Sequence, residues 1–125
     1  MHKRIIRIIS SSHYLAHTEL LFKQLRFLNI FDINTFQISS FIFDFFNNNL
    51  PQCFSNFFKE NPRFHSHRTR SSHNVHIPYV QSTLAKQSLR YFGPVVWNSL
   101  PHHLRMTSSK THFKQLLKQY FLDQK

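Results

Sequence analysis

The chain has 125 residues, with 16 Lys and Arg against five Asp and Glu, a formal net charge of +11 with its ten His counted neutral. That length suits one domain with a modest core, and a 41% hydrophobic share that includes fifteen Phe opposes wholesale disorder. The single cysteine, Cys53, excludes an internal disulfide, and no apolar run approaches the ~18 residues that span a bilayer, so no membrane role is expected.

Residues 1–13 form a basic N-terminal segment. Within it, residues 3–9 alternate charge and Ile as a short amphipathic helix does, and Ser10 to Ser12 break it. The segment has no acid before Glu19, which is also how a mitochondrial presequence reads, while Arg7 splits the apolar part in a way a secretory signal does not. A single mostly helical domain is expected over residues 14–125. Thr18 is placed to cap a helix in which Leu21, Leu25 and Leu28 recur at i, i+4 and i+7. Asp32 is placed to cap the next, where Ile38, Phe41, Ile42 and Phe45 share a face until Asn47 to Pro51 stop it. So short a joint predicts an αα-hairpin. Phe54, Phe57 and Phe58 predict one more helical turn against it, and Asp44, on the less apolar side of the second helix, is expected to be exposed.

Between about residues 59 and 87 the character changes to a basic, His-rich loop: Arg63, His65, His67, Arg68, Arg70, His73, His76 and Lys86 crowd a stretch that also holds Pro62 and Pro78. Ile77 to Val80 allow a short edge strand, paired with Ser88 to Tyr91 as a β-hairpin. Gly93 and Pro94 then read as a turn opening a short helix at Pro94, which Pro101 ends. A lone Trp is usually a core anchor, so Gly93, Pro94, Trp97, Leu100 and Pro101 are the expected structural centre. Ser109 caps the last helix, whose Phe113, Leu116, Leu117, Tyr120 and Phe121 form one apolar face. Lys110, Lys114 and Lys118, at i, i+4 and i+8, form a basic ridge beside it. The expected fold class is therefore mostly α: an αα-hairpin plus a C-terminal amphipathic helix around a Gly-Pro-x-x-Trp core, with one short β-hairpin.

The string Arg90-Tyr-Phe-Gly-Pro-Val-Val-Trp-Asn-Ser-Leu-Pro101, followed by Ser109-x-x-x-Phe113-Lys114-x-x-Leu117-Lys118-x-Tyr120-Phe121-Leu122, resembles the C-terminal region of LINE-type (non-long-terminal-repeat) retrotransposon reverse transcriptases. Ala16-His17-Thr18-x-Leu20-Leu21-Phe22-x-x-Leu25, Ile30-Phe31-Asp32-Ile33, and Leu50-Pro51 with Phe54 are similar to the same region in the same order. The resemblance spans nearly the whole chain and marks ancestry rather than chemistry. It implies the upstream polymerase domain of a parent element as a packing partner, and template RNA or target DNA as a ligand.

Catalytic chemistry is not expected. A polymerase needs carboxylates that hold two divalent ions together, whereas Glu19, Asp32, Asp44, Glu60 and Asp123 are scattered, and the family's Tyr/Phe-Ala-Asp-Asp palm signature is missing. One glycine precludes a Gly-x-Ser-x-Gly nucleophile elbow. His65, His67, His73 and His76 with Cys53 fit no closed four-ligand zinc pattern, so neither metal nor cofactor is expected. What remains is basic and aromatic. Arg63, Arg68, Arg70, Lys86 and Arg90, with Phe64, Tyr79 and Tyr91 among them, suit phosphate contact and base stacking on unpaired RNA or DNA; Lys114 and Lys118 are the second candidates. The expectation is a non-catalytic C-terminal fragment of a retrotransposon reverse transcriptase with non-specific RNA/DNA binding, nuclear or cytoplasmic rather than mitochondrial. The alternative is a decayed or structural remnant that packed on the polymerase and has no independent function.

Overall fold

Three stretches with helical periodicity, and several without it, become helices in the computed structural model, which describes residues 2–60 and 74–124. The chain is mostly α-helical. Helix α1 (His2–Ile9) folds against α2 (Thr18–Gln24), and Ile6 joins Leu21 and Phe22 in a small core of their own. Arg7 Nε donates to the Ala16 carbonyl at 3.1 Å, tying the end of α1 to the approach to α2. Thr18 is not the cap that its residue type predicts. It is the first helical residue and is buried, and His17 occupies the cap position without a side-chain bond.

Helix α2 is also shorter than its leucines predict. Arg26 takes φ 54°, in the left-handed region, so the helix stops and Leu28 leaves its face to pack on the main core. Because its apolar side is taken by Ile6, α2 pairs with α1 in place of the expected hairpin with α3 (Ile30–Phe46). The cap of α3 is Asn29, whose side chain accepts from the Asp32 amide at 2.9 Å; Asp32 itself sits in the first turn, where a negative charge suits the helix N-terminus.

Helix α3 packs on α5 (Leu89–Ser99) and α7 (Lys110–Asp123), and the main core lies where they meet. Ile42, Phe43, Trp97, Leu104, Phe113 and Leu117 are all buried there. The Phe43 and Phe113 rings stack with centroids 4.4 Å apart, and the Trp97 ring lies 5.5 Å from Phe46 and 5.9 Å from Phe113. Ser39 and Ser40 face inward on α3 at no polar cost, because their hydroxyls donate to the Thr35 and Phe36 carbonyls at 2.8 and 2.9 Å. After α3, Asn48 at φ 56° turns the chain into a 3-10 turn at Gln52–Phe54. Phe58 is then buried edge-on against Phe41 and Phe45, with centroids 6.1 and 5.2 Å away.

Two expectations are corrected around Gly93. The helix there does not begin at Pro94: α5 starts at Leu89 and runs through both residues. Gly93 has no positive φ, so it does not serve as a turn residue. Its missing Cβ matters differently. A residue before proline resists helical geometry partly because its Cβ meets the proline ring, and a Cβ at Gly93 would also lie 3.2 Å from Phe58 Cε1 and 3.3 Å from Ile42 Cδ1. Gly93 thus lets a buried proline continue a helix that presses on α3.

The expected β-hairpin does not form either. Residues 77–80 are irregular, and the Tyr91 and Phe92 amides donate to the Ser88 carbonyl at 3.1 and 2.8 Å, which spends on the first turn of α5 the donors that a strand would need. Two short helices flank α5. Ser82 caps α4 (Thr83–Lys86), its side chain accepting from the Ala85 amide at 3.1 Å, and Pro101 both ends α5 and precedes α6 (His102–Arg105). Among the described residues no helix is long and apolar enough to cross a membrane.

Replacing Gly93 with Ala sets two effects against each other. Helix propensity favours Ala by about 1 kcal/mol, but overpacking a confined site costs about 1–3 kcal/mol. Ile42 and Phe58 are both buried, and Phe58 is hemmed in by the Phe41 and Phe45 rings, so the second effect should win. Gly93→Ala is expected to lower the urea midpoint, and Gly93→Val to lower it further.

Candidate nucleic-acid interface

The residues that flank the expected binding stretch meet at one place. Glu60 and Val75 form an isolated antiparallel bridge, and the His76 amide donates to the Lys59 carbonyl at 2.6 Å. The returning strand is held more firmly than a bridge alone would hold it. Asn98, in the last turn of α5, accepts from the Val75 amide through Oδ1 and donates through Nδ2 to the Val75 carbonyl, both at 2.9 Å. Arg105 on α6 donates from Nη1 to Asn74 Oδ1 at 2.9 Å. Val75 itself is buried in the main core. Residues 61–73, which include Arg63, Arg68 and Arg70, lie outside the described residues, as do Phe64, His65, His67 and His73.

At this junction a cleft of about 240 Å³ is lined by Phe57, Phe58, Lys59, His76, Pro78 and Arg90. The Arg90 guanidinium lies over the Phe57 ring, 4.9 Å from its centroid, an arrangement that holds the cation at the rim while leaving the residue exposed. Lys86 is exposed at the end of α4, four residues before Arg90. Tyr79 is exposed and Tyr91 half-buried, so of the two only the Tyr79 ring is fully open to a stacking partner. Lys59, at the start of the basic stretch, and His76, within it, are thus placed beside Arg90. The signal that pairs them is the Glu60–Val75 bridge, which no local pattern announces.

The second candidates lie elsewhere. Lys114 and Lys118 are exposed on α7 and line a separate groove of about 370 Å³ with Phe36 and Lys110. The Lys110 ammonium is already committed: it contacts Asp44 Oδ2 at 2.6 Å. Asp44 is correspondingly half-buried, its side chain only 14% exposed, rather than exposed as its place on the helix predicted. Of the expected structural residues, Gly93, Pro94, Trp97 and Leu100 are buried and Pro101 is half-buried. Cys53 is exposed, and among the described residues no group of His, Cys, Asp or Glu is gathered to hold a metal ion. No family model, curated protein or solved structure matches the chain.

The Asn98 clamp has a direct consequence. Asn98→Ala leaves the amide and carbonyl of a buried residue without these partners, at a cost of about 2–3 kcal/mol. Urea unfolding should show that loss, and amide exchange should quicken at Val75 and His76 much more than in α7.

Proposed function

We propose that this chain is a non-catalytic, nucleic-acid-binding piece, akin to the C-terminal region of LINE-type reverse transcriptases. It holds single-stranded RNA or DNA through phosphates with Arg63, Arg68, Arg70, Lys86 and Arg90. One observation supports the reading: Glu60 and Val75, on either side of the basic stretch, are bridged, and the cleft beside them is edged by Lys59, His76 and Arg90. A net charge of +11 supplies long-range attraction to a polyanion. Exposed cations position a phosphate chain without reading bases, which makes the binding non-specific. The open Tyr79 ring beside this region favours unpaired bases over a stacked duplex.

A second reading, a structural remnant that packed on an upstream polymerase, is favoured by a different observation. Leu20 and Phe31 are 61% and 74% exposed, apolar area that packing against another protein would remove from water.

A salt series separates the two. For a single-stranded oligonucleotide, log affinity should fall linearly with log salt by about 0.7 for each phosphate contact. Replacing Arg63, Arg68, Arg70, Lys86 and Arg90 together with Ala should weaken binding and flatten that slope while the helical circular dichroism persists. Unchanged affinity and slope would contradict the assignment.

A further inference from the structure

An open groove of about 470 Å³ runs between the two cores, lined by Ile5 and Ile9 of α1, Phe27 and Leu28 after α2, and Ile33 and Phe36 of α3. Ile5, Ile9, Phe27 and Ile33 are each exposed. They are not scattered surface residues: one concavity gathers them. It also takes in Arg26 and Lys118, and through Phe36 and Lys118 it is continuous with the groove that carries Lys110 and Lys114. Among the described residues no acidic side chain lines either part. The result is an apolar trough with a basic rim that opens at one end onto a row of lysines.

We propose that this trough docks an acidic amphipathic helix of a partner protein. Its volume suits roughly three or four apolar anchors, the number that a helix presents at i, i+3, i+4 and i+7. Carboxylates flanking such a stripe would meet Arg26, Lys114 and Lys118, whereas Lys110 is occupied by Asp44. A nucleic acid is a poorer occupant, because the lining is chiefly aliphatic and aromatic, and Arg26 and Lys118 are few cations for a phosphate chain. A bilayer leaflet is too flat to follow a concavity between two cores. The trough shares no residue with the Arg90 cleft, so the inference stands independently of the nucleic-acid reading.

Two synthetic 16-residue helical peptides with the same leucine stripe test it, one flanked by Glu and one by Lys, each titrated into the intact chain by fluorescence anisotropy. The Glu peptide should bind roughly tenfold more tightly at low salt, as several rim ion pairs together would give. Lys114→Glu with Lys118→Glu should abolish or reverse that preference, and Ile33→Asp should weaken the Glu peptide while circular dichroism stays unchanged. Equal binding of both peptides, binding of neither, a preference that survives the Lys114 and Lys118 reversals, or binding only to phosphatidylserine vesicles would each overturn the proposal.

Discussion

Two adjacent residues near the end of α5 carry most of the structure's logic. Trp97 fills the main core between Phe46 and Phe113. Asn98, next to it, turns its amide onto Val75 and satisfies both backbone groups of a residue that is also bridged to Glu60. A change in the direction of α5 would therefore disturb both the core and the junction. Its direction depends in turn on Gly93, where the helix comes so close to Ile42 and Phe58 that a Cβ would crowd them. The only glycine and the only tryptophan of the chain thus act four residues apart in one helix, and the contacts of that helix decide where the basic stretch begins and ends.

The charge is distributed with the same economy. Few acids are present, and Asp44 is used to fix the start of α7 through Lys110, which joins that helix to α3 by an ion pair as well as by the Phe43–Phe113 stack. Two groups of basic side chains stand out among the described residues. One is at the junction, where Lys59 and Arg90 line a cleft with His76 near the exposed Tyr79. The other lies along α7 and the rim of the apolar trough, where Lys114, Lys118 and Arg26 border aliphatic side chains. Similar cations thus stand in dissimilar surroundings, beside aromatic rings at the junction and beside aliphatic side chains along the trough.

Much of this could be read from residue order, and the exceptions have physical causes. The face of α7 was legible because the helix runs for several turns with polar residues between its apolar ones; of the face expected for α3 only Ile42 is fully buried, and Phe43, which stacks on Phe113, lay outside it because apolar residues occur nearly all round that helix. Helices α4 and α6 have four residues each, too few for any period, although Ser82 followed by Leu84 and Ala85 is a fair local sign of the first. The reading of α2 ran past Leu25 because leucine spacing carries no information about the left-handed turn at Arg26. Gly93-Pro94 looked like a turn by the local rule. That rule omits the gain from burying Pro94 and the room that a missing Cβ gives to Ile42 and Phe58. The candidate site was legible only as composition. Which cations share a surface depends on Val75 meeting Asn98 across 23 residues, and neither residue advertises the other.

The measurement closest to the heart of this picture is photocrosslinking of the intact chain to single-stranded RNA carrying 4-thiouridine, with the modified peptides identified by mass spectrometry. Crosslinks concentrated in residues 56–90, with Tyr79 among them, are the expected result and would place the nucleic acid at the pinned junction. Crosslinks confined to α1 or α7, or spread evenly over all basic residues, would contradict it and reduce the junction to a purely structural feature.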